Sequence, residues 1–449
     1  MLRPAGSQTS GKGEARHLVD VGRGDPSNYS AGAYAGGMHE TAVQRAIALA
    51  IFAASYVGLG LGRLPVVRVD RTGVAIIGGA LMVLSGVLPW NDAIQAVDAH
   101  TLVLLFGMMI VAAYLRLSGF FSLVALWTIR RATTPRSLLA AVIVAAGVLS
   151  ALFVNDVVCL VLAPLVVGVT HRLALPPVPY LVTLATSANV GSVATLTGNP
   201  QNMLVGSFSN LSYRAFLLRE GPIALLGLLC VFVVVGLVYR RELRGALTMG
   251  EATDRIPVHY PLMVKTIAAV GVMLIAFLAG VPIALVAIGG APFSLFTRRV
   301  NPEKVYREVN WQLLVLFVGL FVLTGGIERA GLVADLVPWA SAMGLHHPAV
   351  LTIATAVLSN LVSNVPAVLL FKPLIPTFGE PDRGWLILAM ASTLAGNLTI
   401  LGSIANLIVV EVAREARVKI GFFEYCRVGV PLTIVTLLLG WLILITVPV

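Results

Sequence analysis

An all-α polytopic membrane protein is the fold class that this 449-residue chain predicts, and three observations carry the prediction. First, 58% of the residues are apolar and 12% are charged, with a mean hydropathy of +0.91. Soluble domains are roughly 45–50% apolar and about 25% charged. Half the usual charge cannot cover a water-facing surface, so a soluble enzyme and a disordered chain are both excluded. Second, apolar stretches of bilayer length recur along the chain, and its length accommodates roughly ten spans of about 20 residues. Third, the order of those stretches repeats.

Residues 1–39 stand apart as a polar, Gly/Ser-rich segment without periodicity or an apolar signal core, expected to be a disordered tail. Apolar spans follow at 41–62, 72–88 and 98–118. A tight pair at 137–154 and 157–172 is joined at Asn155-Asp156 with almost no loop. A long apolar segment at 179–212 is broken by Thr197-Gly198-Asn199-Pro200, and a span at 221–239 closes the series. The series then recurs as 261–279, 282–297, 311–328, a tight pair at 348–363 and 365–378, a broken segment at 384–415 and a span at 430–447.

Residues repeat in step with hydropathy. Gly107 and Gly119 match Gly319 and Gly331; Ser150, Asn155 and Pro164 match Ser359, Asn364 and Pro373. Thr195, Gly198 and Asn202 match Thr399, Gly402 and Asn406. The division is therefore a first repeat at 40–245, a cytoplasmic linker at 246–260 and a second repeat at 261–449. Each repeat holds five crossings and one helical hairpin that enters and leaves on the same side. An odd number of crossings turns the second repeat upside down, the inverted-repeat plan of secondary transporters.

Charge supports that topology. With the N-terminus outside, 21 basic residues fall on the inner face, among them Arg63, Arg68, Arg130, Arg131, Arg240, Arg241, Arg255, Arg298 and Arg299. Only Arg214, Arg219, Arg329 and Arg383 fall outside, the tail and Lys372 apart, which is the positive-inside bias. The net charge of +10 forms no basic stripe interleaved with aromatics, so no nucleic-acid partner is expected. Cys159, Cys230 and Cys426 are too far apart for a metal-ligand pattern and read as small core residues. No phosphate-binding Gly-x-x-x-x-Gly-Lys-Ser/Thr motif is present, and neither an enzyme nor a resident cofactor is expected.

Chemistry is expected at four interruptions, because backbone within a membrane must be hydrogen-bonded unless it lines a cavity. Two are the hairpin tips, at Asn155-Asp156 and Ser363-Asn364; two are the breaks at 195–202 and 399–406. Helix N-termini suit an anion, while freed carbonyls and Asn, Ser and Thr oxygens suit a small cation. The candidate site is Asn155, Asp156, Thr195, Thr197, Gly198, Asn199, Asn202, Ser363, Asn364, Thr399, Gly402, Ser403 and Asn406. Asn155, Asp156, Gly198, Asn364 and Gly402 are the candidate sodium ligands. Asp156 either carries a coupled sodium or proton, caps the helix that follows, or reaches water at the far surface. Lys372 attracts an anion, pairs with a carboxylate or snorkels outward. Glu328 and Arg116 occupy matching repeat positions and read as interfacial anchors, Glu411 as a cytoplasmic-end residue, and His346-His347 as an exposed loop.

Three segments carry a resemblance over nearly the whole chain after residue 40: Phe153-Val154-Asn155-Asp156, Gly198-Asn199-Pro200-Gln201-Asn202 and Gly396-Asn397-Leu398-Thr399-Ile400-Leu401-Gly402-Ser403. The chain resembles the ion transporter superfamily of divalent-anion/sodium symporters, arsenite efflux permeases and sodium/proton antiporters. Asn155 and Asn364 match the asparagines at the symporters' hairpin tips. The flanking residues, Val-Asn-Asp and Ser-Asn-Val-Pro, are closer to the arsenite-permease and antiporter branches, and the Gly-Asn-Pro-Gln-Asn break to the anion-permease branch. The resemblance implies re-entrant hairpins, a homodimer and an elevator-like shift of a transport domain. The expected function is secondary transport of a small anion or oxyanion across the plasma membrane, coupled to sodium or protons. A sodium/proton antiporter or an arsenite permease is the alternative.

Overall fold

The computed structural model of the chain describes residues 42–62, 69–245, 258–295 and 300–447. The tail at 1–39, Arg63, Arg68, Arg255, Arg298, Arg299 and most of the 246–260 linker lie outside the described residues.

Twenty α-helices follow one another among the described residues. The first ten are α1 (Ala42–Leu61), α2 (Arg71–Leu84), α3 (Trp90–Ala96), α4 (Ala99–Leu117), α5 (Phe120–Arg131), α6 (Pro135–Leu152), α7 (Asn155–Arg172), α8 (Pro177–Ser192), α9 (Pro200–Phe208) and α10 (Tyr213–Val238). The second ten are α11 (Tyr260–Leu278), α12 (Ile283–Leu295), α13 (Pro302–Glu308), α14 (Trp311–Arg329), α15 (Leu332–Ala342), α16 (Pro348–Val362), α17 (Asn364–Phe371), α18 (Pro381–Ala395), α19 (Ile404–Glu415) and α20 (Phe422–Thr446). Four short helices, α3, α5, α13 and α15, stand between the spans expected from hydropathy. They are too short or too charged to register as apolar runs.

Local chemistry sets the boundaries. Asp98 accepts from the amide of Thr101 at 2.6 Å and starts α4; at the matching place Asn310 accepts from Leu313 at 3.0 Å and starts α14. Gly119 and Gly331 both adopt left-handed φ, of 82° and 67°, in the turns after these two helices. Thr134 and Ser137 form a reciprocal capping box at α6, with Pro135 in the first turn. Helix α10 begins eight residues before the expected span, because Ser212 caps it by accepting from Ala215 at 3.1 Å. Helix α17 ends at Phe371, ahead of Pro373 and Pro376, which supply no amide donor. The two hairpins therefore differ: arms of 18 and 18 residues in the first, 15 and 8 in the second.

The two sets of helices pack reciprocally. Helix α2 lies against α14 and α12 against α4, while α10 lies against α20. At the first two crossings a glycine admits the neighbouring backbone. A Cβ at Gly107 would stand 2.7 Å from the Ala287 carbonyl oxygen, and one at Gly319 would stand 2.8 Å from that of Ala75. Gly107 and Gly319 are separated by the same number of residues as Ala75 and Ala287, so one contact is made twice.

Eight described helices are long and apolar enough to cross a bilayer: α1, α4, α6, α7, α10, α11, α14 and α20. Leu225, Leu229, Val233 and Leu237 form an exposed apolar strip on α10, and Val264, Val272 and Ile275 do so on α11. Exposed apolar strips of this kind mark surfaces that meet lipid or another protein rather than water. Helices α8 and α18 instead lie in the interior, with Leu181–Ser192 and Gly384–Ala395 buried throughout.

Candidate functional site

The site is built where α8 and α18 stop. Each ends short of the next half-helix, and the gap is closed by an asparagine from that next half-helix. Asn202 donates through Nδ2 to the carbonyls of Ser192 at 3.1 Å and Thr195 at 2.9 Å. Asn406 donates likewise to the carbonyls of Gly396 at 2.7 Å and Thr399 at 3.0 Å. The two latches join repeat-matched residues. They satisfy carbonyls that the broken helices would otherwise leave bare in an apolar interior. Asn199 caps α9, its Oδ1 accepting from the Asn202 amide at 2.8 Å, and Ser403 caps α19, its Oγ accepting from Ala405 at 3.2 Å.

Two interior side chains that the sequence reading missed connect the breaks to the opposite repeat. Asn189, on α8, donates to Asn397 Oδ1 at 2.9 Å and Asn406 Oδ1 at 3.0 Å. Its own Oδ1 accepts from Asn155 Nδ2 at 2.9 Å and from Ser403 Oγ at 3.1 Å. The first hairpin tip and the second break thus meet on one amide. Thr393, on α18, does the corresponding work for the first break: its Oγ1 accepts from Asn199 Nδ2 at 3.2 Å and Gln201 Nε2 at 3.0 Å. Asn189 and Thr393 are related by the same repeat spacing as Asn202 and Asn406. That spacing, applied to polar residues inside apolar helices, was the signal that could have found them.

The other expected residues are distributed around these two joints. The Asn155 amide donates to the Gly198 carbonyl at 3.0 Å, tying the first tip to the first break. Thr195 Oγ1 donates to the Ala151 carbonyl, and the Thr197 hydroxyl lies 3.2 Å from that of Tyr213 on α10. Thr399 and Gly402 enter through backbone atoms. Asn364 turns toward its own hairpin, its Oδ1 accepting from Ser359 Oγ at 2.6 Å, and Ser363 takes a φ of 84° at the tip. Asn155, Asp156, Thr195, Thr197, Asn199, Asn202, Ser403 and Asn406 are buried, whereas Ser363, Asn364 and Thr399 are half-buried.

Asp156 makes no side-chain cap to α7, whose preceding residue is Val154. The capping alternative is therefore not what this carboxylate does. Two buried acceptors near the tips, Asn155 Oδ1 and Asn360 Oδ1, have no donor in the structure. The second lies against the second break, 2.7 Å from the place a Cβ would occupy at Gly402.

Lys372 belongs to neither joint. Its Nζ pairs with Glu328 Oε1 at 3.0 Å and lies 4.6 Å from the centroid of the Phe208 ring at the end of α9. Both side chains of the pair are close to 30% exposed (27% and 31%), so screening keeps its contribution within about 1 kcal/mol. Lys372→Met is expected to lower apparent stability by no more than about 1 kcal/mol and to leave transport within about twofold of wild type. A melting curve in detergent and a vesicle uptake assay check both. Arg116, matched to Glu328 by the repeat, pairs with Glu308.

Comparison with known proteins places this architecture. The citrate transporter family, CitMHS, matches residues 47–395. The chain belongs to that family. CitMHS membership makes it a membrane transporter, within the wider superfamily its motifs suggest. Among its relatives, the silicon efflux transporter LSI3 of Oryza sativa subsp. japonica is 31% identical over 84% of this chain and 92% of that protein. An uncharacterized transporter of Mycobacterium tuberculosis is 30% identical over 88% of this chain and 96% of its own length. The crystal structure of the YdaH transporter of Alcanivorax borkumensis shares the fold with a TM-score of 0.57. The match is 18% identical and covers 90% of this chain and 97% of that one.

Proposed function

We propose that this CitMHS protein moves a small oxyanion or its conjugate oxyacid across the plasma membrane by alternating access, coupled to sodium or protons. In this proposal the two sets of ten helices act as inverted repeats, the tight pairs as re-entrant hairpins, and the working unit is a homodimer in the bilayer. The observation that carries it is the pair of buried joints at Asn189 and Thr393, each linking a broken helix to the opposite repeat. A motion of one repeat against the other must pass through these bonds.

The joints are made of amides and hydroxyls. Among the described residues, no Lys or Arg side chain has a hydrogen bond to them. Such a site holds a compact, oxygen-rich solute by hydrogen bonds, and it does not neutralise the several charges of a tricarboxylate. This favours a small oxyacid over citrate, as does the silicon efflux named for the rice relative. Asn155 Oδ1 and Asn360 Oδ1 supply acceptors for a solute hydroxyl or a sodium ion. An arsenite permease or a sodium/proton antiporter uses the same parts with a different cargo. Melting curves of the purified protein with silicate, arsenite, phosphate, sulfate, citrate and sodium test the reading, since a ligand of the folded state raises its apparent stability. Stabilisation by citrate alone would reject it.

Asp156 is the carboxylate assigned to coupling. It is buried in the first turn of α7, beside the tip that joins both the first break and Asn189. A carboxylate at such depth is costly unless it binds something. Asp156→Asn is expected to melt near wild type but to lose at least about tenfold in gradient-driven uptake into proteoliposomes. An unchanged rate with unchanged sodium and pH dependence would remove Asp156 from the mechanism.

A further inference from the structure

The first break has a second carboxyl beside it that no motif marks. Tyr213, Glu220 and Gly227 are spaced by seven along α10 and therefore share one face of the helix. At one end of that face the Tyr213 hydroxyl meets Thr197; at the other, a Cβ at Gly227 would stand 2.6 Å from Val190 Cγ1. Glu220 lies midway along that face, between the residue that meets the first break and the residue packed on α8. Its side chain is wholly buried, and neither carboxyl oxygen has a hydrogen-bond partner. The second repeat shows what this face requires when no such group is present. At the corresponding position, two residues before Pro431 as Glu220 is before Pro222, stands Gly429, where a Cβ would lie 2.4 Å from the Asn397 carbonyl oxygen. The carboxyl is thus a feature of the first repeat alone.

No ion pair holds it among the described residues. The helices packed on α10 carry Arg136 on α6, Tyr180 on α8, Tyr260 and Lys265 on α11, Asp382 and Arg383 on α18, and Glu424, Tyr425, Cys426 and Arg427 on α20, and none of these bonds to Glu220. Glu424 and Arg427 act on Tyr239 at the far end of α10. Arg383 pairs with Glu380, and Tyr180 donates to the Pro135 carbonyl at the opposite end of α8. Arg219, next in sequence, is half-buried with its own Nη1 unpartnered, and makes no ion pair with Glu220.

We propose that Glu220 is a proton-binding site of the transport cycle, taking up a proton from one aqueous face when the first break opens to it and releasing that proton to the other. One O–H bond forms on a carboxyl oxygen and is later broken, with water as donor and acceptor on the two sides. The dry, unpaired state in this structure fits the protonated form, since an ionised carboxylate would have to be held without a donor. The inference deepens the coupled-transport reading above and rests on it.

Infrared titration of the whole purified protein tests it without any knowledge of the solute. A carboxylic-acid C=O component that changes with pH is expected in wild type and in Asp156→Asn, and is expected to be lost from the spectrum of Glu220→Gln while the bands of the other carboxyls remain. In proteoliposomes, Glu220→Gln should lose at least about tenfold of the solute accumulation driven by a pH gradient, using the probe that stabilised wild type. Glu220→Asp, which keeps the acid, should retain accumulation with a displaced pH profile. A pH-dependent C=O spectrum identical in wild type and Glu220→Gln, or accumulation within twofold of wild type in that variant, overturns the proposal. If no solute stabilises the protein yet the band still depends on Glu220, the solute reading falls and the proton site stands.

Discussion

Asn189→Ala is expected to abolish transport and to lower the stability of the folded protein by about 4 kcal/mol. The amide bridges four side chains: it accepts from Asn155 and Ser403 and donates to Asn397 and Asn406. All four partners lie in the buried interior. A buried polar group left without its partner costs about 1–3 kcal/mol, so orphaning several at once places this substitution in the severe class. The effect on transport has the same source, because the first hairpin tip and the second break lose the group that holds them in register. Asn189→Thr, the residue type used at the matching position Thr393, supplies one hydroxyl in place of the amide and should recover part of the stability but not the transport. A melting midpoint within about 1 kcal/mol of wild type for Asn189→Ala, with normal uptake, would show that the joint is not what organises the site.

Gly198→Ala is expected to be among the most damaging single methyl additions in the described residues. A Cβ there would stand 2.3 Å from the carbonyl oxygen of Ser192 and 2.8 Å from its Cα, both backbone atoms that cannot rotate away. Overpacking usually costs about 1–3 kcal/mol, and here the upper end or more is expected because the break must open to admit the methyl. Opening it also moves the Gly198 carbonyl that accepts from the Asn155 amide at 3.0 Å, so the hairpin tip shifts with it. Gly402→Ala should be milder. Its nearest neighbour, 2.7 Å away, is Asn360 Oδ1, a side-chain atom rather than backbone, although Asn360 Nδ2 bonds to the Ala356 and Ala395 carbonyls and the Gly396 carbonyl at 2.8 Å also resists. Gly168→Ala, with nothing within 4 Å, should be neutral or slightly stabilising through helix propensity. Melting midpoints in the order Gly168→Ala, Gly402→Ala, Gly198→Ala, from highest to lowest, are the expected result. A reversal of the last two would contradict the geometry.

Much of the architecture was legible because lipid imposes strong rules on sequence. Spans such as α4, α11 and α14 are found within a residue or two of their hydropathic limits, since a bilayer-crossing helix must be apolar over its whole length. The breaks were legible from Gly198, Pro200 and Gly402. The short helices α5 and α15 were not, because nothing in their composition separates a short amphipathic helix from a loop. Glu220 was hidden for a related reason: it lies one residue outside the apolar run at 221–239. Only the cap at Ser212 carries the helix back past it.

The site divides along the same line. Asn202 and Asn406 could be chosen from sequence because the repeat marks them twice. What they do, latching the carbonyls of the preceding half-helix rather than offering free amides to a solute, depends on distances between segments. Asn189 and Thr393 are single polar residues in apolar helices, and chain order says nothing about what faces them. The sequence alone determined that this chain is a helical membrane protein and where its helices are interrupted, because bilayer thickness and backbone hydrogen bonding act locally along the chain. Only the tertiary structure decided which side chain meets which across the two repeats. Those contacts join residues about 200 positions apart, and packing, not periodicity, selects them.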